Sequence, residues 1–296
     1  MRRRRCAMKR NRTLLWCAVP ALALYALLSL YPLFKAARMS LTDFSGVGDA
    51  HWIGLANYAA AFRDPASLHT LVVTFAYAAI VVIVQNGLGL LFAALLFSLP
   101  RLRGALRVGL LVPSMFSAVI AGFVWEYLYS PLGGGINELL HLVHLDALQQ
   151  VWLGDPSVTL PAVTAVHVWM YVGYSTAIFL AGYLNIPSEL HDAAKLDGAN
   201  AWVRFTRIDL PLLAPAFTVN ITLSTIGTLK TFELPLVLTN GGPDGATTTL
   251  GLQIFHSLFN DYKFGFASAL SMIMLAIVVV VATTQNTILR RREDNL

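Results

Sequence analysis

The chain has 296 residues, of which 56% are hydrophobic and only 12% are charged, and its mean hydropathy is +0.64. This composition excludes an ordinary soluble protein and predicts a chain embedded in lipid. The net charge of +5 does not indicate a nucleic-acid partner, because the basic residues flank apolar segments, where they face anionic membrane lipid. Cys6 and Cys17 form no disulfide framework, and the His141/His144 pair lacks a third ligand, so no metal site is expected.

Six segments contain no Asp, Glu, Lys or Arg and are long enough to cross about 30 Å of hydrocarbon as helices. They lie within residues 14–34, 71–99, 108–125, 156–188, 210–229 and 264–289. We therefore predict an all-α polytopic membrane protein with six transmembrane helices. The first segment follows a basic tail, residues 1–13, and resembles a signal peptide. Its apolar run is longer than the roughly 7–15 residues of a signal core, which favours an uncleaved transmembrane helix.

The basic residues predict the orientation of these spans, because Lys and Arg near span ends stay preferentially on the cytoplasmic side. With a cytoplasmic N-terminus, 16 of the 21 Lys and Arg residues fall on the cytoplasmic side and five fall outside. We therefore predict a multi-pass protein of the bacterial cell membrane. Its N-terminus and its C-terminal tail, residues 290–296, are both expected to be cytoplasmic.

The segment between the fourth and fifth spans, residues 185–211, is called the central loop. Ser188 begins a predicted helix that ends at Gly198, because glycine adopts the left-handed conformation at a helix C-terminus at little cost. Asn200 is the predicted cap of a second short helix. That helix carries Trp202, Phe205 and Ile208 on one side. It is expected to stop at Leu210 and Pro211. From these residues alone, an amphipathic hairpin at the membrane surface explains the pattern as well as a docking element does.

The central loop resembles the loop by which ABC-type import permeases dock onto their ATPase subunits. That family carries Glu-Ala-Ala, two residues, Asp-Gly-Ala and then Ile-x-Leu-Pro. This chain carries Asp192-Ala193-Ala194, Asp197-Gly198-Ala199 and Ile208-Asp209-Leu210-Pro211, with Asp in place of the first Glu. The resemblance implies ATPase coupling for these motif residues together with Glu189, Trp202 and Phe205. Segments 54–58 and 238–244 resemble the carbohydrate-uptake branch, similar to maltose and glycerol-phosphate importers.

The resemblance covers roughly residues 14–290 and implies a type I ABC importer permease fold, with a core permease domain over residues 71–289. It implies a non-catalytic subunit that carries a sugar into the cytoplasm by alternating access, with ATP and Mg held by a separate subunit and no cofactor in this chain. The implied partners are a second homologous permease, two copies of an ATPase, an extracytoplasmic sugar-binding protein and the sugar itself.

Two spans carry polar or aromatic residues suited to a solute path. In the fifth span, Asn220, Ser224, Thr228 and Thr231 share one helix face, and polar side chains in hydrocarbon need protein partners or a cavity. Helix packing explains this stripe equally well. The resemblance implies that Ser224, Thr228 and Thr231 hold sugar hydroxyls.

The fourth span carries four residues whose counterparts line the sugar site in the resembling permeases: His167, Trp169, Tyr171 and Tyr174. Aromatic faces stack on the apolar face of a sugar ring, and Tyr or His can hydrogen-bond its hydroxyls. For His167 a buried structural role stays open, because the family commonly has an amide there.

Two other functions compete with this interpretation. A proton-coupled secondary transporter is disfavoured, because the six segments contain no ionisable residue at mid-depth beyond His167. Lys230 and Glu233 are interpreted as a surface-level pair three residues apart at the end of the fifth span. A membrane-embedded enzyme is disfavoured, because the chain has no GxxxxGK[ST], GxSxG, HExxH or CxxC motif.

Reporter fusions test the predicted orientation. Because basic residues concentrate on one side, fusions after Arg103 and Arg292 should report a cytoplasmic location, and fusions after Asp146 and Asp244 an external one. Alkaline phosphatase and a fluorescent protein give opposite signals at each site. An external C-terminus would contradict the six-span topology.

Overall fold

The computed structural model describes residues 12–293, with side chains from residue 19 to residue 291. Most of the predicted basic tail lies outside the described residues. Within them the chain is helical, apart from loops and a single bridge between Thr42 and Trp52. The helices are α1 (Arg12–Tyr25), α2 (Tyr31–Met39), α3 (Ala56–Arg63), α4 (Pro65–Ser98), α5 (Arg103–Leu111), α6 (Ala118–Leu128), α7 (Gly135–Leu142), α8 (Pro156–Leu184), α9 (Ser188–Leu196), α10 (Ala201–Arg204), α11 (Leu210–Leu212), α12 (Ala214–Leu229), α13 (Glu233–Thr239), α14 (Leu250–Phe259) and α15 (Phe264–Glu293).

Four stretches of helix within the described residues are long and apolar enough to cross a membrane: Val19–Met39, Pro65–Ser98, Pro156–Leu184 and Phe264–Arg291. The first of these joins α1 to α2 through a π turn at Ala26–Leu30. Two further spans are bent helix pairs: Arg103–Met115 with Ala118–Leu128 at 96°, and Ala201–Leu212 with Ala214–Leu229 at 67°. Counting each bent pair as one span gives six spans, in the order of the six predicted segments. The predicted all-α membrane fold is confirmed.

The second and fourth spans begin with the same dipeptide, Asp-Pro. The Asp64 carboxylate accepts hydrogen bonds from the Ala66 and Ser67 backbone N–H groups, and Asp155 accepts one from Ser157. A capping carboxylate satisfies N–H groups that have no partner in the helix, and proline at the next position needs no partner. The serine hydroxyls also donate to these carboxylates, which holds the pKa of Asp64 and of Asp155 below the usual range. This cap starts the second span before residue 71, where hydrophobicity alone had predicted it.

The third span bends because the chain is extended between α5 and α6. Phe116 and Ser117 have β-region backbones, and the Ser117 hydroxyl accepts a hydrogen bond from the Val119 N–H to start α6. Ser114 Oγ donates to the Leu111 carbonyl on the other side of the break, at 2.7 Å. Side-chain hydroxyls therefore replace the helical hydrogen bonds that the break removes, as hydrocarbon requires.

The predicted helix stop at Leu210–Pro211 is wrong. The chain passes through that pair in a helical conformation, after a π turn at Phe205–Asp209 in which the Leu210 N–H donates to the Phe205 carbonyl. The direction changes instead at Leu213, which is fully buried against the ends of α4 and α8. Pro211 is the second residue of α11, a position at which proline is tolerated.

The packing of α4 against α8 holds the core together. Small residues allow the close approach: a Cβ at Gly89 would lie 2.7 Å from the Ser175 Cβ. The buried side chains at this interface include Tyr77 and Val81 from α4 and Met170 from α8. Gly173, on α8, packs directly on the backbone of α5 at Leu110.

Gly173→Ala tests this close contact. A Cβ at residue 173 would overlap the Leu110 carbonyl group, which is backbone and cannot rotate away. We expect the substitution to lower the unfolding free energy by about 1–3 kcal/mol, seen as a lower melting temperature in detergent. Gly87→Ala is the matched control, since a Cβ there meets nothing within 4 Å. Equal melting temperatures for the two variants would contradict the packing.

Candidate functional site

A polar cavity of about 560 Å³ lies among α4, α6, α8, α12 and α13. Its polar lining residues come from four of these elements and the turn after α12: Gln85, His167, Tyr171, Tyr174, Asn220, Ser224, Lys230, Thr231 and Glu233. Apolar residues, including Leu223 and Leu234, complete the wall. Cavities with mixed polar and aromatic walls are typical of small-molecule sites.

Hydrogen bonds between three helices build one wall of this cavity. Gln85 Nε2 donates to Ser175 Oγ at 2.7 Å, and Ser175 Oγ donates to Asn220 Oδ1 at 3.1 Å. Asn86 Nδ2 donates to Ser224 Oγ at 3.0 Å. All five residues are buried. The network satisfies polar groups that no lipid could satisfy and fixes α4, α8 and α12 relative to one another.

Two amide oxygens in this network have no hydrogen-bond partner within the described residues, Gln85 Oε1 and Asn86 Oδ1. A buried acceptor without a partner is costly, and it is usually satisfied by water or a ligand. Gln85 lines the cavity, so its oxygen is available to a donor that enters. The wall therefore suits a solute that carries hydroxyl groups.

His167 lies between two tyrosines at the cavity wall. Its Nδ1 is 3.0 Å from the Tyr77 hydroxyl, and its ring centroid is 4.8 Å from that of Tyr171. Only 7% of His167 is exposed, whereas Tyr174 is 48% exposed. Tyr171 and Tyr174 therefore give the cavity wall an aromatic surface, next to the largely buried His167 ring.

The structure brings five of the seven predicted sugar-contact residues to the cavity: Ser224, Thr231, His167, Tyr171 and Tyr174. It does not bring Thr228 or Trp169 there. The Thr228 hydroxyl donates to the Ser224 and Thr225 carbonyls of its own helix, at 2.8 and 3.1 Å. The Trp169 ring packs edge-on against Trp125, with centroids 5.4 Å apart. Sugar contact by the five residues stays a prediction.

The interpretation of Lys230 and Glu233 as a surface pair is wrong. Helix α12 ends at Leu229 and α13 begins at Glu233, so the two residues do not share a helix. Both line the cavity, and no ion pair joins them within the described part of the chain. The cavity therefore presents one ammonium and one carboxylate to its contents.

The sequence analysis missed Gln85, which lines the cavity, and Asn86, which bonds to the cavity residue Ser224. Two adjacent amides in an otherwise apolar span were a usable signal, because buried polar side chains in hydrocarbon mark a partner or a pathway.

The first helix of the central loop, α9, ends as predicted. Gly198 has φ +74°, its N–H donates to the Lys195 carbonyl at 3.1 Å, and the Ala199 N–H donates to the Ala194 carbonyl at 2.9 Å. These two bonds and the left-handed glycine form a Schellman motif, which closes a helix and turns the chain away. Asn200 then caps α10 by accepting the Val203 N–H at 2.9 Å. The predicted elbow and cap are confirmed.

The two short helices expose one face and bury the other. Leu196 is 90% and Trp202 71% exposed, and the Trp202 ring lies 5.9 Å from that of Phe205. Ile208, predicted on the same side, instead packs against the cluster that includes Leu213, because the π turn changes the helical register. An exposed Trp and Leu on a polar loop indicate a surface that another protein covers.

The remaining residues predicted to couple differ in exposure. Glu189, Asp192, Ala193 and Asp197 are exposed, whereas Ala194 is buried and Ala199 and Pro211 are half-buried. Asp192 pairs with Lys195 at 2.9 Å on the outside of α9. Their role in coupling stays a prediction.

The chain is similar to membrane subunits of transport systems. The family model described as binding-protein-dependent transport system inner membrane component matches residues 85–294. The chain is 31% identical over 277 residues to the trehalose/maltose transport system permease protein MalF of Thermococcus litoralis, with 93% of each chain covered. It is 32% identical over 282 residues to the sulfoquinovosyl glycerol transport system permease protein SmoG of Agrobacterium fabrum, covering 93% of this chain and 89% of the relative.

A solved structure shares the fold. The chain matches a bacterial ABC transporter involved in the import of the acidic polysaccharide alginate, with a TM-score of 0.83 and 96% of each chain covered. Sequence identity to that structure is 21%, so the likeness shows the arrangement of helices alone.

Thr231→Val and Thr228→Val test the cavity wall as a matched pair. Both remove one hydroxyl, but only residue 231 lines the cavity. If a sugar occupies the cavity, Thr231→Val should weaken its apparent affinity about three- to tenfold, the equivalent of one hydrogen bond. Thr228→Val should leave the affinity unchanged. The measurement is the half-saturating sugar concentration for uptake, and equal values for both variants would contradict this assignment.

Proposed function

The chain belongs to the family of binding-protein-dependent transport system inner membrane components, and on this premise we propose that it is the permease subunit of an ATP-driven importer for a saccharide. The family model covers most of the chain. Two relatives above 30% identity are named permease proteins, and the match covers about nine tenths of each. The saccharide passes through the cavity by alternating access. ATP hydrolysis takes place on a partner chain.

One observation carries this proposal: a single span connects the central loop to the cavity. The bent pair Ala201–Leu212 and Ala214–Leu229 begins in the loop behind Gly198, and its second half presents Asn220 and Ser224 to the cavity. A helix transmits a displacement at one end to the other. Movement of the loop therefore repositions residues of the cavity wall.

The chemistry of the cavity supports a saccharide or sugar derivative as the solute. Amide and hydroxyl groups can exchange hydrogen bonds with sugar hydroxyls, and the rings of Tyr171 and Tyr174 can cover the apolar face of a pyranose. The names of the two relatives, trehalose/maltose and sulfoquinovosyl glycerol systems, are of this chemical class.

The family and the exposed face of the central loop support the proposed partners. An ATPase subunit binds the exposed face around Trp202. A binding protein outside the cytoplasm delivers the sugar, in keeping with the description of the family as binding-protein-dependent. A similar transporter was solved with a periplasmic protein bound to an alginate pentasaccharide. A second, homologous permease and a second ATPase copy complete the complex.

The orientation is part of the proposal. The central loop faces the cytoplasm, where ATP is available, and both termini lie on the same side. The distribution of Lys and Arg supports this arrangement.

Gly198→Val tests the central loop as the coupling element. A β-branched residue at φ +74° is strained by about 1–3 kcal/mol and changes the angle between the two short helices. We expect the variant to enter the membrane normally. It should then either lose the ATPase subunit on purification or retain it without stimulation of ATP hydrolysis by sugar-loaded receptor.

Gly48→Val is the matched control. Gly48 also has a positive φ, +84°, and a Cβ at either glycine would meet nothing within 4 Å. It lies between the first span and α3, far along the chain from the loop, so its variant should couple normally. Normal coupling in Gly198→Val would exclude the loop as the transmission element.

A further inference from the structure

The buried side of the central loop contains a histidine–aspartate contact between its two halves. His191 Nε2, on α9, lies 3.5 Å from Asp209 Oδ1, at the end of the π turn that leads into the fifth span. Each side chain is only 14% exposed. Neither of these two atoms has a hydrogen-bond partner within the described residues, so the nearest polar group to each lies across the loop.

The His191 ring also contacts the ends of two other spans. It packs on Phe97 near the end of α4, with ring centroids 5.7 Å apart, and Phe97 stacks on Tyr183 near the end of α8 at 5.2 Å. The Arg103 guanidinium lies 5.7 Å from the Phe97 ring and donates to the Leu96 and Phe97 carbonyls, which fixes the end of α4. Phe97 is therefore held from both sides.

Three spans that line the cavity thus meet around one side chain. Gln85 is on α4, His167, Tyr171 and Tyr174 are on α8, and Asn220 and Ser224 are on α12. The second and fifth spans contact His191 directly, through Phe97 and Asp209, and the fourth span is joined to it through the Tyr183 ring stacked on Phe97.

We infer that His191 is the positioning residue through which movement of the ATPase-contacting helix α9 reaches the second, fourth and fifth spans together. The inference rests on the proposed function, in which α9 is moved by the ATPase. The contact with Asp209 holds α9 against the start of the fifth span in one arrangement, and the contact with the Phe97 ring orients the His191 side chain. Without the pair, α9 can move while the spans stay in place.

Other charged side chains line the same cleft: Glu189, Asp192, Lys195 and Arg204. Arg204, on α10, also interacts electrostatically with the Asp209 carboxylate. Asp192 is paired with Lys195 on the outside of α9, so it does not compete with Asp209 for His191. An exposed ion pair such as Asp192–Lys195 contributes little to stability or geometry, because water screens the two charges.

The test is a sugar-independent measurement of coupling. The whole complex, with its second permease and ATPase, is reconstituted in vesicles from a chain in which Cys6 and Cys17 are replaced by Ser. Leu223→Cys then places a thiol in the cavity wall. The rate at which a membrane-impermeant thiol reagent labels this cysteine is measured with and without ATP and vanadate. The variants are His191→Gln, Asp209→Asn and the exchanged pair His191→Asp with Asp209→His.

We expect His191→Gln and Asp209→Asn to keep the ATPase bound and to reduce the ATP-driven change in labelling rate by about five- to tenfold. The exchanged pair should recover at least half of the change, because it again places an imidazole opposite a carboxylate at the same two positions. His141→Gln is the control, since His141 also pairs with an aspartate, Asp146, but is exposed and distant in the chain. It should behave like the parent chain.

A full ATP-driven change in His191→Gln would overturn the inference. Loss of the ATPase in the single variants without recovery in the exchanged pair would also overturn it, because the pair would then only hold the loop together. The proposed function is judged separately, by uptake in the parent complex. An ATP-driven change in labelling rate without uptake of any saccharide would reject the proposed substrate. The labelling result would still decide the role of His191.

Discussion

The structure depends on one constraint: polar groups inside the spans must bind one another, because hydrocarbon offers them no partner. The chain of hydrogen bonds from Gln85 through Ser175 to Asn220 meets this constraint across three helices. It leaves the amide oxygen of Gln85, which lines the cavity, without a hydrogen-bond partner within the described residues. The same network therefore holds the spans in register and presents an acceptor to a solute.

The bent fifth span gives this arrangement a mechanical input. It starts in the central loop, turns by 67° at the buried Leu213 and ends at Leu229, next to the cavity residue Lys230. Under the proposed function, a displacement of the loop reaches the cavity wall along this span.

The sequence predicted the features that depend on local chemistry. Charge-free segments identified six spans, and the left-handed glycine and the Asn200 cap identified the shape of the loop. It did not predict features that depend on where a helix ends. Helical spacing places Thr228 and Thr231 on one face, but α12 ends at Leu229 without a terminal Gly or Pro, so only Thr231 reaches the cavity. The pairing of His191 with Asp209 requires two helices to fold back on each other, and no pattern within either helix signals it.

The central claim is that ATP, and not an ion gradient, drives a saccharide through this cavity. Uptake of a labelled saccharide panel into vesicles that contain the whole complex tests it most directly, with receptor outside, ATP inside and an ionophore to collapse the proton gradient. We expect uptake of at least one saccharide that requires both ATP and receptor and is unaffected by the ionophore. Uptake that proceeds without ATP and stops when the proton gradient is collapsed would contradict it.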